Sequence, residues 1–265
     1  MATISGLWIG ARLSPLERSC IASFLGRGHQ FDLYVYEPVA DVPDGCRLAD
    51  AATTLPARRV FAHSQGEGRG SVAAFSDLFR YELLMRRGGW WADLDVFCLG
   101  DRLPDEDTVI GRQGQTVVNG AVLRFPPAHP LIAAAREACE TAAADCAWGE
   151  IGPDLLTRLV REHDLQSRVQ PPAVFYPVDW QHYWAVLDPR RSADVLRRMQ
   201  GAVCIHLWNE MLRRIRFDKF VLPPPGSVLR MLYEATLAVG AFDREYVLAE
   251  QSPPEALHLE VRARQ

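Results

Sequence analysis

The beginning of the chain most constrains its fold, because a strand, a helix and a second strand follow one another there. Residues 4–9 form a short apolar run closed by Gly10, which is typical of a buried strand. Ser14 and Pro15 then predict a helix start, with serine as the cap and proline in the first helical position. The segment FDLYVY at residues 31–36 alternates and predicts a second strand. A unit of this kind predicts parallel strands joined by a right-handed crossover.

The rest of the first half continues this alternation. A helix is predicted from Val72 to about Arg87, and a strand-like segment follows from Trp90 to Leu99. The chain has 265 residues, of which 48% are hydrophobic, and this is enough to form one large globular domain. The sequence therefore predicts an α/β fold with a mostly parallel central sheet. The polar residues 251–265 predict a frayed tail.

Charge and composition exclude several classes of protein. The formal net charge is -4, and the sequence lacks the run of basic residues that a nucleic-acid-binding protein usually shows. No window approaches the ~20 apolar residues that a membrane-spanning helix needs. The first ten residues do not resemble a signal peptide, and the six cysteines form no CxxC pair. The sequence predicts a cytoplasmic protein with reduced cysteines, no nucleic-acid partner and no membrane span.

The most informative segment is residues 75–99, FSDLFRYELLMRRGGWWADLDVFCL. Asp77 and Arg80 are three residues apart on the predicted helix and share one face. The pair is either an exposed helix salt bridge or a buried functional pair. In the second case both charges need polar partners, because a buried unpaired charge is costly.

Two carboxylates follow this helix. In an extended strand Trp91, Asp93 and Asp95 would share one side, where the carboxylates repel each other unless a cation lies beside them. A divalent metal with oxygen ligands removes this repulsion and leaves coordination positions for phosphate oxygens. The spacing of Asp93 and Asp95 recurs in a second acidic triplet at residues 105–107. That triplet follows a proline in a polar stretch and predicts only a solvated loop.

Residues 75–99 resemble the signature of the DxD-containing sugar transferases. That family includes bacterial capsule and oligosaccharide transferases and eukaryotic α-1,4-galactosyl- and mannosyltransferases, and the large clostridial glucosylating toxins are more distantly similar. Further segments resemble the family in the same order: LWIG at 7–10, VNGAVL at 118–123, WGEIGP at 148–153 and HLWNE at 206–210. The resemblance covers most of residues 4–210.

The resemblance implies a GT-A fold, a Rossmann-like nucleotide-binding domain that would occupy residues 1–250 with C-terminal helical additions. It also implies Mn²⁺ or Mg²⁺, a UDP-sugar donor, a saccharide acceptor and retention of anomeric configuration. A protein acceptor, as in toxins and effectors, and a non-catalytic sugar-nucleotide-binding module are the alternatives. A phosphoryl transferase fits less well, because GEGRG at residues 66–70 lacks the lysine of a phosphate loop.

Site residues follow from the same resemblance. Asp95 resembles the direct metal ligand, and Asp93 the residue that contacts ribose, sugar and metal-bound water. Asp77 resembles the carboxylate that receives donor-sugar hydroxyls, and Arg80 the cation near the sugar and diphosphate. Trp8 resembles the aromatic residue that stacks on uracil.

The remaining candidates each have a structural alternative. His206 and Trp208 resemble an element that closes over the diphosphate. His206 is a third metal ligand or a core histidine bonded to a backbone carbonyl, and imidazole suits Mn²⁺. Asn119 either meets a sugar or holds the turn before Gly120. Glu150 either lines the acceptor side or belongs to a loop that starts a helix.

Overall fold

The computed structural model of the chain describes residues 1–141, 144–249 and 257–264. Its strands are β1 Thr3–Trp8, β2 Gln30–Val35, β3 Arg47–Asp50, β4 Gly89–Ala92, β5 Val96–Cys98, β6 Val109–Gln113, β7 Val117–Phe125, β8 Val169–Gln170, β9 Cys204–His206, β10 Arg244–Leu248 and β11 Leu259–Ala263. Its α-helices are α1 Pro15–Gly26, α2 Ala73–Arg87, α3 Pro130–Ala138, α4 Leu155–Glu162, α5 Pro172–Phe175, α6 Ser192–Met199, α7 Asn209–Arg214 and α8 Val228–Thr236. Short 3₁₀ turns lie at Ala51–Thr53, Ala57–Arg59, Gln166–Arg168, Trp180–Val186, Pro189–Arg191 and Val239–Ala241, and a π turn at Glu150–Asp154.

The central sheet has seven strands in the order β3-β2-β1-β4-β7-β6-β8. The first four strands of this order are parallel, and β7 runs antiparallel to both β4 and β6. The short β8 pairs in parallel with β6. The sheet is therefore mostly parallel, and the predicted α/β fold class is confirmed. In such a sheet ligands bind beyond the carboxyl ends of the parallel strands, where β1 and β4 end.

Local sequence signals fix the two helices nearest this edge. Helix α1 begins with a capping box, in which the backbone N–H of Ser14 donates to Glu17 Oε2 over 2.9 Å. Helix α2 ends at Gly88, whose φ of +61° is in the left-handed region. A Cβ on Gly88 would lie 2.5 Å from the nitrogen of Pro127, so only glycine allows the chain to turn back into β4 at this point.

Helices cover both faces of the sheet. Ile4 of β1 packs in the core cluster that contains Phe24 of α1, whereas Leu7 packs with Phe79 of α2. Alternate residues of β1 thus face opposite helices, as a strand buried on both sides requires. None of the helices in the described ranges is long and apolar enough to cross a membrane.

One prediction about the carboxylates is wrong. The segment from Trp90 to Leu99 is not one strand, because β4 ends at Ala92 and β5 pairs with β9 rather than with the central sheet. The N–H of Asp93 donates to the carbonyl of Ala121 over 2.9 Å, and the N–H of Val96 donates to the carbonyl of Asp93 over 3.1 Å. The second bond closes a tight turn across both acidic residues.

The C-terminal region also differs from the prediction. Residues 250–256 and 265 lie outside the described residues, but β11 pairs antiparallel with β10 inside the segment predicted to be frayed. Arg262 of β11 lies 2.9 Å from Glu245 of β10, so an ion pair supplements the backbone bonds. The assignment of residues 1–250 to one domain stays a prediction.

Candidate active site

A cavity of about 590 Å³ lies at the carboxyl edge of the central sheet. It is bordered by the ends of β1, β4 and β9 and by the starts of α2 and α7. Most of the residues predicted to form the site line its wall: Trp8, Arg80, Asp93, Asp95, Asn119, His206 and Trp208. The structure thus brings together side chains that are separated by up to about 200 residues in the sequence.

Asp93, Asp95 and His206 form the cluster in which a metal would be held. One ligand atom from each residue lies within 4.8 Å of the others. The pairing of β5 with β9 sets His206 opposite Val96, and this places His206 Nε2 3.1 Å from Asp95 Oδ2. The N–H of Asn209, at the start of α7, donates to the same oxygen over 2.8 Å. The pairing of two strands that are far apart in the sequence therefore brings Asp95, next to β5, close to His206 of β9.

The electrostatics of this cluster favour a cation. Burial raises the pKa of Asp93, with Arg80 opposing the shift and Asp95 adding to it. Burial also acts to raise the pKa of Asp95, but the imidazole of His206 and two kinds of hydrogen bond outweigh it, so the pKa is lowered. His206 Nδ1 is buried and has no hydrogen-bond partner among the described residues. Carboxylate oxygens and an imidazole nitrogen are suitable ligands for Mn²⁺, so the residues present fit the predicted metal.

Arg80 holds Asp93 in position. Its Nη2 lies 3.0 Å from Asp93 Oδ1, and its Nη1 donates to the carbonyl of Gly120 over 2.5 Å. Trp91 donates from Nε1 to Asp93 Oδ1 over 2.8 Å. A Cβ on Gly120 would lie 2.6 Å from Arg80 Nη1, so the glycine leaves room for the guanidinium. The Asp93 carboxylate is therefore oriented by a cation and an indole that both contact its Oδ1.

Asp77 lies behind Arg80 rather than on the cavity wall. Its Oδ1 is 3.4 Å from Arg80 Nη2, and a Cβ on Gly152 would lie 2.6 Å from its Oδ2. Burial raises the pKa of Asp77 to about 6, although the charge of Arg80 acts in the opposite direction. The predicted pair is thus buried, and of its two members only Arg80 lines the cavity.

Asn119 and Glu150 are both engaged in local structure. Asn119 Oδ1 accepts from the N–H of Ala121 over 2.7 Å, and its Nδ2 donates to Gln113 Oε1. Asn119 lies within β7 rather than in a turn before Gly120, and it also lines the cavity. Glu150 is exposed and does not line it, and its Oε2 accepts from the N–H of Ala147 over 2.7 Å.

Comparison with known proteins shows which proteins the chain is similar to. A family model described as the conserved region of α-1,4-glycosyltransferases matches residues 124–233, which include His206 and Trp208. The human lactosylceramide 4-α-galactosyltransferase is 28% identical over 158 residues, covering 56% of this chain and 44% of that protein. Part of the chain is similar to the α-1,4-glycosyltransferases.

Two further curated glycosyltransferases are similar to the chain. The lactosylceramide 4-α-galactosyltransferase of Rattus norvegicus is 30% identical over 150 residues, covering 52% of this chain and 41% of that protein. The human α-1,4-N-acetylglucosaminyltransferase is 28% identical over 152 residues, with coverages of 51% and 42%. The alignments span less than half of these curated relatives. The predicted family resemblance is confirmed, and the names agree with the predicted enzyme class.

Two solved structures also resemble the chain. The structure named PaToxG Glycosyltransferase aligns with a TM-score of 0.47 and 12% identity, covering 91% of this chain and 87% of that one. The ligand-free glycosyltransferase domain from the YGT toxin aligns with a TM-score of 0.46 and 9% identity, with coverages of 88% and 93%.

A buried ion pair beside Trp8 escaped the sequence analysis. Glu17 lines the cavity and is 1% exposed, and its carboxylate pairs with the ammonium of Lys219. That ammonium lies 6.0 Å from the centre of the Trp8 ring. Lys219 is the only lysine of the chain, against 28 arginines, and this composition is the signal that could have singled it out. It lies beyond the residues that carry the resemblance, so no motif pointed to it.

The raised pKa of Asp77 leads to a prediction about stability. A folded-state pKa of about 6 against an ordinary 3.8 means that the folded protein binds this proton more tightly than the unfolded chain. The contribution of Asp77 to stability is therefore most favourable below about pH 4, and it is lost as the pH rises through about 6. Asp77→Asn is expected to raise the free energy of unfolding at pH 7.5 by up to about 3 kcal/mol, and by less than about 1 kcal/mol at pH 4.5.

Urea unfolding of both proteins at the two pH values would measure this effect. The expected gain comes from removing a buried charge, while Arg80 keeps its contact with Asp93. An equal change at pH 4.5 and pH 7.5 would show that the carboxyl group does not titrate differently on folding.

Proposed function

We propose that this protein is a metal-dependent, retaining glycosyltransferase that moves a hexose from a UDP-sugar to a saccharide acceptor. The observation that carries the proposal is the meeting of Asp93, Asp95 and His206 on the wall of one cavity. Arg80 and Trp8 line the same wall, so a cationic group and an aromatic ring accompany the proposed metal ligands. The similarity of residues 124–233 to the conserved region of α-1,4-glycosyltransferases supports this chemistry.

In this proposal each side chain has a role in holding the donor. Trp8 stacks on the uracil base, and Asp95, Asp93 and His206 hold Mn²⁺ or Mg²⁺. The bound metal supplies positive charge that offsets the charge developing on the departing diphosphate. Trp208 lies 4.0 Å from the His206 ring, centre to centre, and shields that side of the site from water. Arg80 orients Asp93 and contributes a second, fixed positive charge.

The transfer step is proposed as a front-face displacement. The bond between the anomeric carbon and the acceptor oxygen forms while the bond to the diphosphate oxygen breaks, and the acceptor proton passes to that leaving oxygen. A double displacement would need a carboxylate beneath the anomeric carbon. Asp77 and Glu150 do not line the cavity, so neither is placed to take that role. The cytoplasmic location stays a prediction from the sequence.

The proposed function predicts slow metal-dependent hydrolysis of one donor. The purified protein would be incubated with UDP-, GDP- and ADP-sugars, with Mn²⁺ or with EDTA, and nucleotide release would be measured. UDP with Mn²⁺ should also stabilise the fold, by about 2.7 kcal/mol when the ligand is at a hundred times its dissociation constant. Nucleotide release from one UDP-sugar only with Mn²⁺ is the expected result. No release from any donor together with no thermal shift would contradict the proposal.

A further inference from the structure

Two tryptophans on the cavity wall are exposed to solvent. Trp148 and Trp180 are 41% and 43% exposed, and both line the cavity that holds Asp93 and Asp95. The chain has seven tryptophans, and the other five are buried or half-buried. Indole rings are among the costliest groups to leave in water, so a pair of them on one rim indicates a binding surface.

Trp148 is held firmly in its exposed position. The guanidinium of Arg214 lies 5.2 Å from the centre of its ring, and the ring of His63 lies 5.3 Å away. A Cβ on Gly68 would lie 2.4 Å from Trp148 Cε3, so that glycine lets the loop approach the indole. Arg214 is itself fixed by Glu210 at 3.1 Å. Residues from distant parts of the chain thus fix this ring in position.

Trp180 is attached to the part of the wall that carries His206. It opens the 3₁₀ turn Trp180–Val186, which Asp179 caps by accepting from the N–H of Gln181 over 2.9 Å. Two residues earlier, the carbonyl of Val178 accepts from Trp208 Nε1 over 2.8 Å. Neither an aromatic ring nor a cation lies over the Trp180 ring among the described residues. Its ring is therefore anchored through its backbone and open to a ligand.

Asp154 adds an open hydrogen-bonding group beside Trp148. Its Oδ2 lies 3.5 Å from the Cβ position of Gly149, the residue next to Trp148, and it lines the same cavity. No cation pairs with Asp154 in the described parts of the chain. Two other carboxylates on this wall are paired, Glu67 with Arg214 and Glu210 with Arg213 and Arg214. An uncompensated carboxylate accepts hydrogen bonds from hydroxyl groups and repels anions.

We propose that Trp148, Trp180 and Asp154 form the acceptor subsite and that it binds a neutral saccharide. This inference rests on the proposed glycosyltransferase function and identifies the acceptor class for the same cavity. A pyranose ring has an apolar C–H face that packs on an indole and equatorial hydroxyls that donate to a carboxylate. A sialylated, sulfated or phosphorylated saccharide would bring a negative charge close to Asp154, which disfavours it.

The test compares transfer with donor hydrolysis in the same preparation. The probes are neutral di- and trisaccharides ending in glucose, galactose or N-acetylglucosamine, with the UDP-sugar that the protein hydrolyses. Trp180→Ala and Trp148→Ala are each expected to lower the ratio of transfer to hydrolysis at least tenfold, mainly through a higher acceptor KM. Trp180→Phe should recover most of the loss. Trp184→Ala is the matched control, because Trp184 lies in the same turn but does not line the cavity.

The outcomes separate this inference from the proposed function. The proposed subsite is wrong if Trp180→Ala keeps the wild-type ratio of transfer to hydrolysis. It is also wrong if the wild-type protein hydrolyses the donor but uses none of the neutral saccharides. Stabilisation of Trp180→Ala by UDP and Mn²⁺ shows that the variant folds and keeps its donor site. The proposed function fails instead if the wild type neither releases nucleotide nor responds to UDP and Mn²⁺.

The preference between neutral and charged acceptors tests the role of the Asp154 charge. Lactose is expected to be a better acceptor than sialylated lactose, and Asp154→Asn should narrow that difference at least threefold because it removes the repelling charge. An unchanged preference in Asp154→Asn would remove this carboxylate from the subsite.

Discussion

Asp95→Asn is expected to lower metal-dependent nucleotide release and sugar transfer by about a thousandfold, the scale of losing a fixed charge that stabilises a transition state. Asp95 is fixed within the metal cluster, because its Oδ2 lies 3.1 Å from His206 Nε2 and accepts from the N–H of Asn209 over 2.8 Å. Asparagine has nearly the same shape and keeps an oxygen that accepts one of these bonds. The loss would therefore report the missing charge rather than a misfolded chain. Steady-state rates over a range of Mn²⁺ concentrations measure it.

The chain provides a matched control for this substitution. Asp105 begins the second acidic triplet, at residues 105–107, whose three side chains are exposed. Asp105→Asn makes the same chemical change in the same kind of motif away from the cavity, so its rates should equal those of the wild type. A rate for Asp95→Asn within tenfold of the wild type would show that the metal is held elsewhere or is not needed.

The segments 93–95 and 105–107 show how much of the candidate site could be predicted from the sequence. The charge repulsion between Asp93 and Asp95 and their apolar surroundings singled out residues 93–95, and both carboxylates line the cavity. The side-chain alternation of an ideal strand did not describe the geometry of residues 93–95. The turn there depends on a bond to the carbonyl of Ala121, and the contact of Asp95 with His206 spans 111 residues. Contacts at that separation leave no trace in local periodicity.

In the rest of the site, too, features set by local sequence signals were predictable and features set by tertiary contacts were not. The helix limits of α1 and α2 were predictable, since a serine-proline start and a glycine stop act within one turn of the chain. The shared face of Asp77 and Arg80 was also predictable, but which of the two reaches the cavity depends on the close approach of Gly152 and Gly120. Lys219 and Trp180 reach the site through tertiary contacts alone. No spacing rule would have joined them to Trp8 or Trp208.

Arg80→Met is expected to destabilise the fold by about 3–5 kcal/mol at pH 8, the usual result of removing one partner from a buried ion pair. The Arg80 side chain is 6% exposed and lies between two carboxylates, Asp77 and Asp93. Burial by itself lowers the pKa of Arg80, but these two carboxylates outweigh it and the pKa is raised, so the charge is firmly held. Methionine fills much of the same volume and leaves both carboxylates without a cation.

The pH dependence distinguishes lost charge from lost packing. Without Arg80 the folded-state pKa of Asp77 should rise further above about 6, so the variant should recover stability as the pH falls and the carboxyl groups take up protons. Urea unfolding in EDTA at pH 8 and pH 5 would measure this recovery. Adding Asp77→Asn to Arg80→Met should restore part of the stability at pH 8, because one of the two unpaired charges is gone. The same loss at both pH values, with no gain from the second substitution, would mean that Arg80 acts through packing against Trp91, whose ring lies 5.2 Å from its guanidinium.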